Sequence, residues 1–289
     1  MRIAVIAHRG KNLGGGLAEL RRLLADEGYD APPWYEVPKS RKAPKKARKA
    51  RDGGADLVLV WGGDGMVQRC VDALAGSDVA IGILPAGTAN LLANNLDIPI
   101  DLPGALRVAL HGTRRRLDLG KLNGEHFAVM AGAGFDGGMI RDAHGGLKAR
   151  LGRLAYVWTG MRKVGDEAVP VEVPVDGNDW FDGRATCVLL GNVGKITGGV
   201  PAFPDARPDD GRLDVGVSTA QGALQWARTL GRMVTGQARR SPFVHTTRAA
   251  KVEVRLGAAL PYELDGGARD ETTRLTAKAV PQAITVCVP

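Results

Sequence analysis

Cysteine is scarce in this chain, and the cysteines that are present form no pattern. Cys70, Cys187 and Cys287 are far apart and include no C-x-x-C pair. An odd number of widely spaced cysteines supports neither a disulfide framework nor a zinc site. The composition therefore predicts a protein that folds without covalent cross-links in a reducing compartment, the cytoplasm.

Long hydrophobic runs and several catalytic signatures are also missing. No apolar stretch approaches the roughly 20 residues that a helix needs to span a bilayer, so membrane contact is expected to be peripheral. Met1 leads directly into the apolar run 3–7, without the pattern of a signal peptide. The chain has no G-x-x-x-x-G-K-S/T, G-x-S-x-G or H-E-x-x-H motif, which excludes P-loop, serine-hydrolase and zincin chemistry.

Acidic residues are outnumbered, and the excess of positive charge is concentrated in one segment. The net charge is +8, and segment 39–51 (KSRKAPKKARKAR) holds eight Lys or Arg residues and no acid. The segment is interpreted as the solvated face of a surface helix, or as a contact for an anionic membrane surface. No nucleic acid is expected as a partner, because no aromatic residues alternate with the basic ones.

The order of predicted elements indicates two domains of different class. A length of 289 residues with 44% hydrophobic side chains is sufficient for two cores. Continuous Val/Ile/Leu runs in residues 1–116 predict a parallel sheet buried on both faces, within a three-layer α/β domain. The predicted strands are 3–7, 34–37, 57–61 and 79–84, and the predicted helices are 16–27, 39–51, 66–74, 89–95 and 104–110.

Residues 117–279 change to short strands separated by Gly, Asp and Asn turns, which predicts a mostly antiparallel β-sandwich. The last strand, within about 280–289, is expected to return to the first domain. The predicted strands are 116–122, 127–133, 169–175, 185–191, 213–218, 250–256 and 274–277, and the predicted helices are 152–163 and 222–233. Exposed edge strands in such a domain make a homodimer an expected assembly.

The strongest local motif is the glycine turn that follows strand 57–61. Gly62, Gly63 and Gly65 surround Asp64 at a strand-to-helix turn, where backbone N–H groups and the positive end of a helix can meet an anion. An acid among the glycines would repel bare phosphate, so Asp64 suits a magnesium ion or the proton of an attacking hydroxyl. A purely structural glycine turn remains an alternative at this point.

A second glycine turn follows the next predicted strand. The segment Pro85-Ala86-Gly87-Thr88-Ala89-Asn90 precedes a predicted helix, and Thr88 is the predicted N-cap residue of that helix. Two glycine loops after successive buried strands lie at the carboxyl edge of one sheet, where ligands bind in open α/β folds. The pair therefore favours a binding site over a structural turn.

These motifs resemble one family. GGDG at 62–65 followed by GILPAGTANLLANNLDIP at 82–99 is similar to the diacylglycerol kinase catalytic domain, which also occurs in sphingosine and ceramide kinases. LDLG at 117–120, AGAGFDG at 131–137 and FPDARPDDGRLDV at 203–215 extend the resemblance over nearly the whole chain. It implies an ATP- and Mg²⁺-dependent lipid kinase, with a nucleotide-binding domain, an all-β lipid-substrate domain and a peripheral location at the inner membrane face.

The resemblance also implies roles for particular residues. Asp64 and Asp118 would be catalytic, with Asp118 in the magnesium network, and Asp210 would bind a structural Mg²⁺ together with the backbone carbonyls of Arg207 and Arg212. Phosphoryl transfer suits such a site, because the enzyme mainly positions groups and neutralises charge. The residues expected to hold the nucleotide phosphates are Lys11, Gly62, Gly63, Asp64, Gly65, Gly87, Thr88 and Asn90.

Two positions depart from the family pattern. Met66 stands where the family usually has a threonine, and offers no hydrogen-bond donor to phosphate. Gly267 stands where the family has the glutamate of a D-G-E motif, a candidate general base whose loss costs on the order of 10²–10⁴ in rate. Asp64 is the preferred substitute for that base.

Three functions remain open from the sequence. The first is a lipid kinase that acts on diacylglycerol, and the second is a non-catalytic relative that binds lipid or nucleotide. The third is a kinase of a soluble hydroxyl substrate such as NAD. GAGFDG at 132–137 matches the dinucleotide G-x-G-x-x-G pattern, but no second strand ending in an acid follows it, so it does not indicate NAD binding.

Overall fold

The computed structural model of the chain describes residues 1–134, 168–196 and 200–289. These residues divide into two compact units, one made of 1–119 and 281–289 and the other of 120–280. The predicted helix at 152–163 lies outside the described residues. No helix in the part of the chain that the structure describes is long and apolar enough to cross a membrane.

The first unit alternates strands and helices. A single 3₁₀ turn, Ser40–Lys42, precedes its second helix. Its elements in chain order are β1 (Ile3–His8), α1 (Gly16–Asp26), β2 (Trp34–Val37), α2 (Ala43–Asp52), β3 (Leu57–Gly62), α3 (Asp64–Leu74), β4 (Ala80–Pro85), α4 (Leu91–Asn95), α5 (Leu102–His111) and the first residues of β5 (Thr113–Leu122).

The strands of this unit form a parallel sheet in the order β2, β1, β3, β4. The end of β14 (Gly267–Val288) adds a further parallel strand, with Thr285 opposite Ala80. Every residue of β3 and β4 is buried, as expected for a sheet covered by helices on both faces. The prediction of an α/β unit is confirmed.

The strand order places the first predicted glycine loop, which follows β3, where the direction of the chain connections reverses. From β1 the chain goes to β2 on one side, and then returns to β3 on the other side of β1. The loops after β1 and β3 therefore leave the sheet in opposite directions and open a crevice at its carboxyl edge. Open α/β sheets bind their ligands in such a crevice.

The second unit is predominantly antiparallel. Its described helices are α6 (Gly222–Val234) and a 3₁₀ turn at Ala238–Arg240. Its strands, in addition to the end of β5 and most of β14, are β6 (Glu125–Phe127), β7 (Met130–Ala133), β8 (Val169–Val175), β9 (Asn178–Ala185), β10 (Cys187–Gly191), β11 (Leu213–Ser218), β12 (Val244–Ala249) and β13 (Lys251–Leu264).

Apolar residues from these strands form one core. Phe127, Leu190, Val215, Val254 and Leu275 are among its fully buried members. The strands follow the order β12, β11, β10, β7, β13, β14, and β8 joins β13 to β9. The prediction of a β-rich second unit is confirmed.

Several predicted elements differ from the observed ones. Segment 39–51 is not one helix, because Pro44 occupies the first turn of α2 and the residues before it form the 3₁₀ turn. Thr88 is not an N-cap, since Asn90 takes that position with a left-handed φ of 48°. The predicted strand 127–133 is interrupted after Phe127, where the backbone N–H groups of residues 128–130 point at the carboxylate of Asp265.

Candidate functional site

The two glycine loops of the first unit touch each other backbone to backbone. A β-carbon placed on Gly87 would lie 2.4 Å from the α-carbon of Gly63, and one placed on Gly63 would lie 3.0 Å from the α-carbon of Gly87. Any larger residue at either position would push the loops apart. Glycine at Gly63 and Gly87 is therefore required by the close approach of the loops that follow β3 and β4.

Asp64 joins the same two loops through its carboxylate. Its two oxygens accept hydrogen bonds from the backbone N–H groups of Asn90 (3.0 Å) and Leu91 (2.5 Å) at the start of α4. Burial raises the pKa of Asp64, and hydrogen bonds from the backbone, together with the charge of Lys11, offset this only in part. The side chain is thus a fixed carboxylate whose basicity exceeds that of a surface aspartate.

Asn90 supports the second loop from within. Its side-chain oxygen accepts from the N–H of Gly87 at 2.9 Å, and its side-chain nitrogen donates to the carbonyls of Pro85 and Gly87. These contacts require the left-handed backbone conformation of Asn90. Asparagine adopts that conformation more readily than most residues. Both Asn90 and the N–H of Gly87, which were expected to meet phosphate, are engaged inside the loop.

Backbone donors lie at the start of α3. The helix begins at Asp64, so the N–H groups of Asp64 and Gly65 have no carbonyl acceptor within the helix, and the N–H of Asp64 interacts with its own carboxylate. No atom lies within 4 Å of the position that a β-carbon on Gly65 would occupy. Gly65 therefore faces open space, and the positive end of α3 is accessible to an anion. Thr88 is exposed on the neighbouring loop.

One basic side chain from the loop after β1, that of Lys11, adds a positive charge to the site. Lys11 is exposed, and its positive charge lowers the pKa of both Asp64 and His8, which places the ammonium group near both. The indole of Trp61 holds the backbone of Lys11 by donating to its carbonyl at 3.1 Å. The site therefore combines a cation, a carboxylate and a helix N-terminus at one sheet edge.

His8 is the residue of this site that the sequence reasoning missed. It is the last residue of β1, and its Nδ1 accepts from the N–H of Gly10 at 3.1 Å. Burial, and then the charge of Lys11, lowers the pKa of His8. Its position at the end of a parallel strand, next to a glycine-rich loop, is the signal that could have identified it.

Met66 has a packing role. Its side chain is only 1% exposed, and its Cβ would lie 2.5 Å from a β-carbon placed on Gly62. The residue that replaces the expected threonine is therefore a core residue of α3, packed beneath the glycine turn. Gly62 is required here because no side chain fits between the strand and Met66.

Asp118 is buried on β5, in the same unit. One of its oxygens accepts from the N–H of Gln282 at 2.7 Å, and Gln282 has a left-handed φ of 47°. The contact fixes the bend of β14 before that strand enters the first sheet. The catalytic role that the family resemblance implies for Asp118 stays a prediction.

The expected structural magnesium site at Asp210, Arg207 and Arg212 lies in the second unit and stays a prediction. In this structure the Asp210 carboxylate is held by protein groups. One oxygen of Asp210 accepts from the N–H of Arg212, and the other is paired with the guanidinium of Arg248. Arg248 also reaches the buried Asp214 at 3.5 Å. No group of three His, Cys, Asp or Glu residues that could hold a metal occurs in the described ranges. A guanidinium therefore neutralises Asp210.

The region around Gly267 is occupied by an ion pair. A β-carbon on Gly267 would lie 3.0 Å from Nη1 of Arg269, and the Arg269 guanidinium binds both oxygens of Glu125 at 2.7 and 2.8 Å. The preceding Asp265 is 3% exposed and accepts three backbone N–H bonds from residues 128–130. Asp265 is a structural residue of the turn between β13 and β14.

Known proteins resemble this chain over both units. The model of the diacylglycerol kinase catalytic domain matches residues 4–122, and that of the YegS C-terminal NAD kinase beta sandwich-like domain matches residues 129–288. A relative from Xanthomonas campestris pv. campestris named "Probable lipid kinase YegS-like" is 34% identical, with 76% of this chain and 74% of the relative covered. The diacylglycerol kinase of Bacillus subtilis is 28% identical, with 86% and 83% covered.

Solved structures share the fold. A diacylglycerol kinase from Bacillus anthracis str. Sterne superposes with a TM-score of 0.79 at 21% identity, covering 100% of this chain and 97% of that one. An NAD kinase from Archaeoglobus fulgidus in complex with ATP gives a TM-score of 0.56 at 12% identity, covering 99% and 93%. Together, the two matched domains and the relatives show that this chain belongs to the diacylglycerol kinase catalytic domain family of lipid kinases.

Proposed function

We propose that this protein is an ATP- and Mg²⁺-dependent lipid kinase that phosphorylates the hydroxyl of diacylglycerol, giving phosphatidic acid at the cytoplasmic face of a membrane. The observation that carries the proposal is the contact of the two glycine loops at the carboxyl edge of the sheet, with Asp64 fixed between them. The names of the relatives support the choice of lipid, and the absence of a spanning helix among the described residues agrees with peripheral attachment.

The phosphates of ATP would lie against the start of α3. The N–H groups of Gly63, Asp64 and Gly65 would donate to phosphate oxygens, and Lys11 would approach them as a point charge. Gly87 and Asn90 would shape the second loop, and Thr88 is exposed beside it. Positioning and charge neutralisation are most of what phosphoryl transfer requires.

Asp64 would contribute to metal binding and to proton transfer. Each of its oxygens accepts one backbone hydrogen bond and retains a lone pair, which suits a Mg²⁺ ion held by one carboxylate and by substrate phosphates. When bound, Mg²⁺ neutralises the charge that develops on the phosphates. Asp118 is the second acid that we assign to this network.

The transfer breaks the bond between the γ-phosphorus and the oxygen that bridges it to the β-phosphorus, and releases ADP. A bond forms between the γ-phosphorus and the hydroxyl oxygen of the acceptor, and the proton of that hydroxyl passes to a base. We assign this proton to the carboxylate of Asp64. Its raised pKa makes it a stronger base than an exposed aspartate, and position 267 carries no acid.

The test is transfer of labelled γ-phosphate from Mg-ATP to diacylglycerol in mixed micelles. We expect Asp64→Asn to lower turnover by about 10²–10⁴, and Asp78→Asn, a change at a fully exposed acid of the same unit, to leave it unchanged. ATP affinity is measured on both variants, because Asp64 also holds the second loop. Unchanged turnover in Asp64→Asn would refute the assignment of the base.

Two other outcomes would identify a different function. ATP binding without transfer to any acceptor would indicate a non-catalytic relative. This alternative is considered because Met66 and Gly267 depart from the family pattern. Transfer to NAD but not to lipid would indicate a kinase of a soluble hydroxyl.

A homodimer through an edge strand such as β12 stays a prediction, which sedimentation of the purified protein would test.

A further inference from the structure

The surface formed by α2 and the turn before it is strongly cationic on its outer side. The helix buries three alanines, Ala43, Ala47 and Ala50, at a spacing that matches one helical face. These small side chains let α2 lie close to the unit, so its opposite face projects fully into solvent. The exposed basic residues on that face are Lys39, Arg41, Lys42, Lys45, Arg48 and Lys49.

The charges of this face are not neutralised within the protein. In the parts of the chain that the structure describes, none of the six forms an ion pair. Arg51, at the end of the helix, is paired with Asp52 at 2.9 Å. No acid interrupts segment 39–51. A face of this kind has a positive potential that extends about one Debye length into solution, roughly 8 Å at physiological salt.

One aromatic residue, Tyr35, borders the cationic face. It lies half-buried on β2, which is the edge strand of the first sheet. The ammonium groups of Lys46 and Lys49 approach the ring of Tyr35 at 5.6 and 5.7 Å. The neighbouring Trp34 faces the other side of the sheet, where its ring lies under the guanidinium of Arg21 at 3.7 Å. A tyrosine beside lysines favours the boundary between water and lipid headgroups.

The cationic face begins at the same sheet edge as the candidate site. Val37, the last residue of β2, lies opposite His8, the last residue of β1. The backbone N–H of Arg9 donates to the carbonyl of Val37 at 3.0 Å. Lys39 follows two residues later, so the first charges of the face lie at the carboxyl edge, to which the glycine loops also belong.

We propose that this face, residues 39–49, is a docking surface for an anionic lipid bilayer. The inference rests on the proposed function in one respect: a kinase of diacylglycerol must act where its substrate is dissolved, in a membrane. The six cations without an ion pair complement negative headgroups, and the adjoining Tyr35 suits the interface. Nucleic acid is the rival occupant of a cationic face, and the test includes it.

The experiment is cosedimentation of the full chain with vesicles of phosphatidylcholine, with and without phosphatidylglycerol, in the absence of ATP and diacylglycerol. The variant replaces Lys42, Lys45, Arg48 and Lys49 by Gln, which preserves helix propensity. A matched control replaces four exposed cations elsewhere by Gln: Arg107, Arg228, Lys251 and Lys278. Both variants lose the same net charge.

We expect the chain to bind the phosphatidylglycerol vesicles and not pure phosphatidylcholine. Each cation near an anionic surface contributes roughly a five-fold change in affinity, so the α2 variant, which loses four cations, should bind about 600-fold more weakly. The control should stay within about five-fold of the parent chain, because its cations are dispersed. Raising the salt concentration should weaken the binding of the parent chain.

Equal losses in the two variants would overturn the proposal, because they would show that net charge and not this face determines binding. Unchanged vesicle binding in the α2 variant would overturn it too. Binding of duplex DNA or of RNA that the α2 variant loses, with no vesicle binding by the parent chain, would assign the face to nucleic acid. Kinase activity in detergent micelles is measured separately. A chain that transfers phosphate but does not bind vesicles through α2 would refute the docking surface alone, and a chain that binds vesicles but transfers no phosphate would refute the proposed function alone.

Discussion

At the scale of single residues, two buried carboxylates of the second unit are stabilised in different ways. Asp265 accepts hydrogen bonds from three backbone N–H groups, whereas Asp214, 2% exposed, lies near the guanidinium groups of Arg248 (3.5 Å) and Arg239 (3.8 Å). A buried charge costs free energy unless it is compensated, and the two sources of compensation respond differently to mutation and to pH.

Replacing Asp265 with Asn should destabilise the protein. Asparagine tolerates the left-handed φ of 46° at this position and has nearly the same volume. It has only one acceptor oxygen for the three N–H groups, however, and its side-chain NH₂ group would point at one of these N–H donors. We expect a loss of about 2–4 kcal/mol in the free energy of unfolding, measured by urea denaturation. A change below about 0.5 kcal/mol would show that the three hydrogen bonds are not needed.

Replacing Arg248 with Met should destabilise the protein more at pH 7.5 than at pH 5. Burial raises the pKa of Asp214 even with Arg248 and Arg239 present, so the folded chain holds that proton more tightly than the unfolded chain does. The contribution to stability of a group with a raised pKa is present at low pH, and is lost as the pH rises through the folded pKa. Removing Arg248 raises this pKa further.

We expect a loss of about 2 kcal/mol at pH 7.5, less than for a fully buried pair because 33% of the Arg248 side chain is exposed. Urea denaturation at the two pH values measures the difference, with Arg228→Met on the exposed face of α6 as the control. An equal loss at the two pH values would contradict this account.

At the scale of elements, the contact between the two glycine loops determines the shape of the site. Gly87→Ala would place a methyl group 2.4 Å from the α-carbon of Gly63 and 2.6 Å from the side-chain oxygen of Asn90. We expect the loops to separate, with about 1–3 kcal/mol lost from the free energy of unfolding and with weaker ATP binding. Calorimetric titration with ATP and thermal unfolding measure the two effects.

Gly65→Ala is the matched comparison for that experiment. Its methyl group would meet no atom within 4 Å, and alanine is the better helix former, so the stability of the folded chain should not fall. ATP affinity should nevertheless fall, because the open space beside Gly65 is where we expect a phosphate. A Gly65→Ala protein that binds ATP normally would place the phosphates elsewhere.

The sequence predicted those elements that a local pattern of apolar and turn residues marks. The run 57–61 is apolar, the run 213–218 alternates apolar residues with Asp214, Gly216 and Ser218, and both are strands of the observed fold. The strand β9 was missed because its sequence, NDWFDGRA, is polar and forms only through its pairing with β8. Long-range pairing overrides weak local propensity in such a strand.

The candidate site was predictable in position but not in detail. The two glycine motifs identified the sheet edge, because each follows a buried strand. The hydrogen bonds from Asn90 and Leu91 to Asp64 join residues 26 and 27 positions apart, and no spacing rule relates them. The bonds of Asn90 to Pro85 and Gly87 were equally unpredictable, because they depend on a left-handed backbone that the sequence does not report. The expected contact of Asn90 with phosphate stays a prediction.

At the scale of the whole molecule, the first unit depends on the far end of the chain. Residues 281–289 belong to it, and Ile284, Val286 and Cys287 are each 1% exposed or less. Their strand pairs with β4, and β4 carries the second glycine loop. The unit that contains the candidate site is therefore assembled from two segments separated by residues 120–280.

Removing residues 281–289 should unfold the first unit. The truncation exposes one side of β4 and the apolar side chains beneath it, whereas residues 120–280 retain their own core. Hydrogen exchange followed by mass spectrometry should show loss of protection in 57–62 and 80–85 and retained protection in 187–191 and 213–218. Joining residues 1–119 to 281–289 by a short glycine linker should restore a folded unit; its failure to fold would contradict the division.

The discontinuity of the first unit sets an order of events during synthesis. Between the synthesis of residue 119 and that of residue 281, 161 residues are added, which takes roughly 10–30 s at ordinary elongation rates. During that interval β4 has no partner on its outer side, and the residues proposed to bind nucleotide remain on an unfinished sheet. Residues 281–289 complete the sheet, so a chain terminated before them is expected to bind ATP weakly.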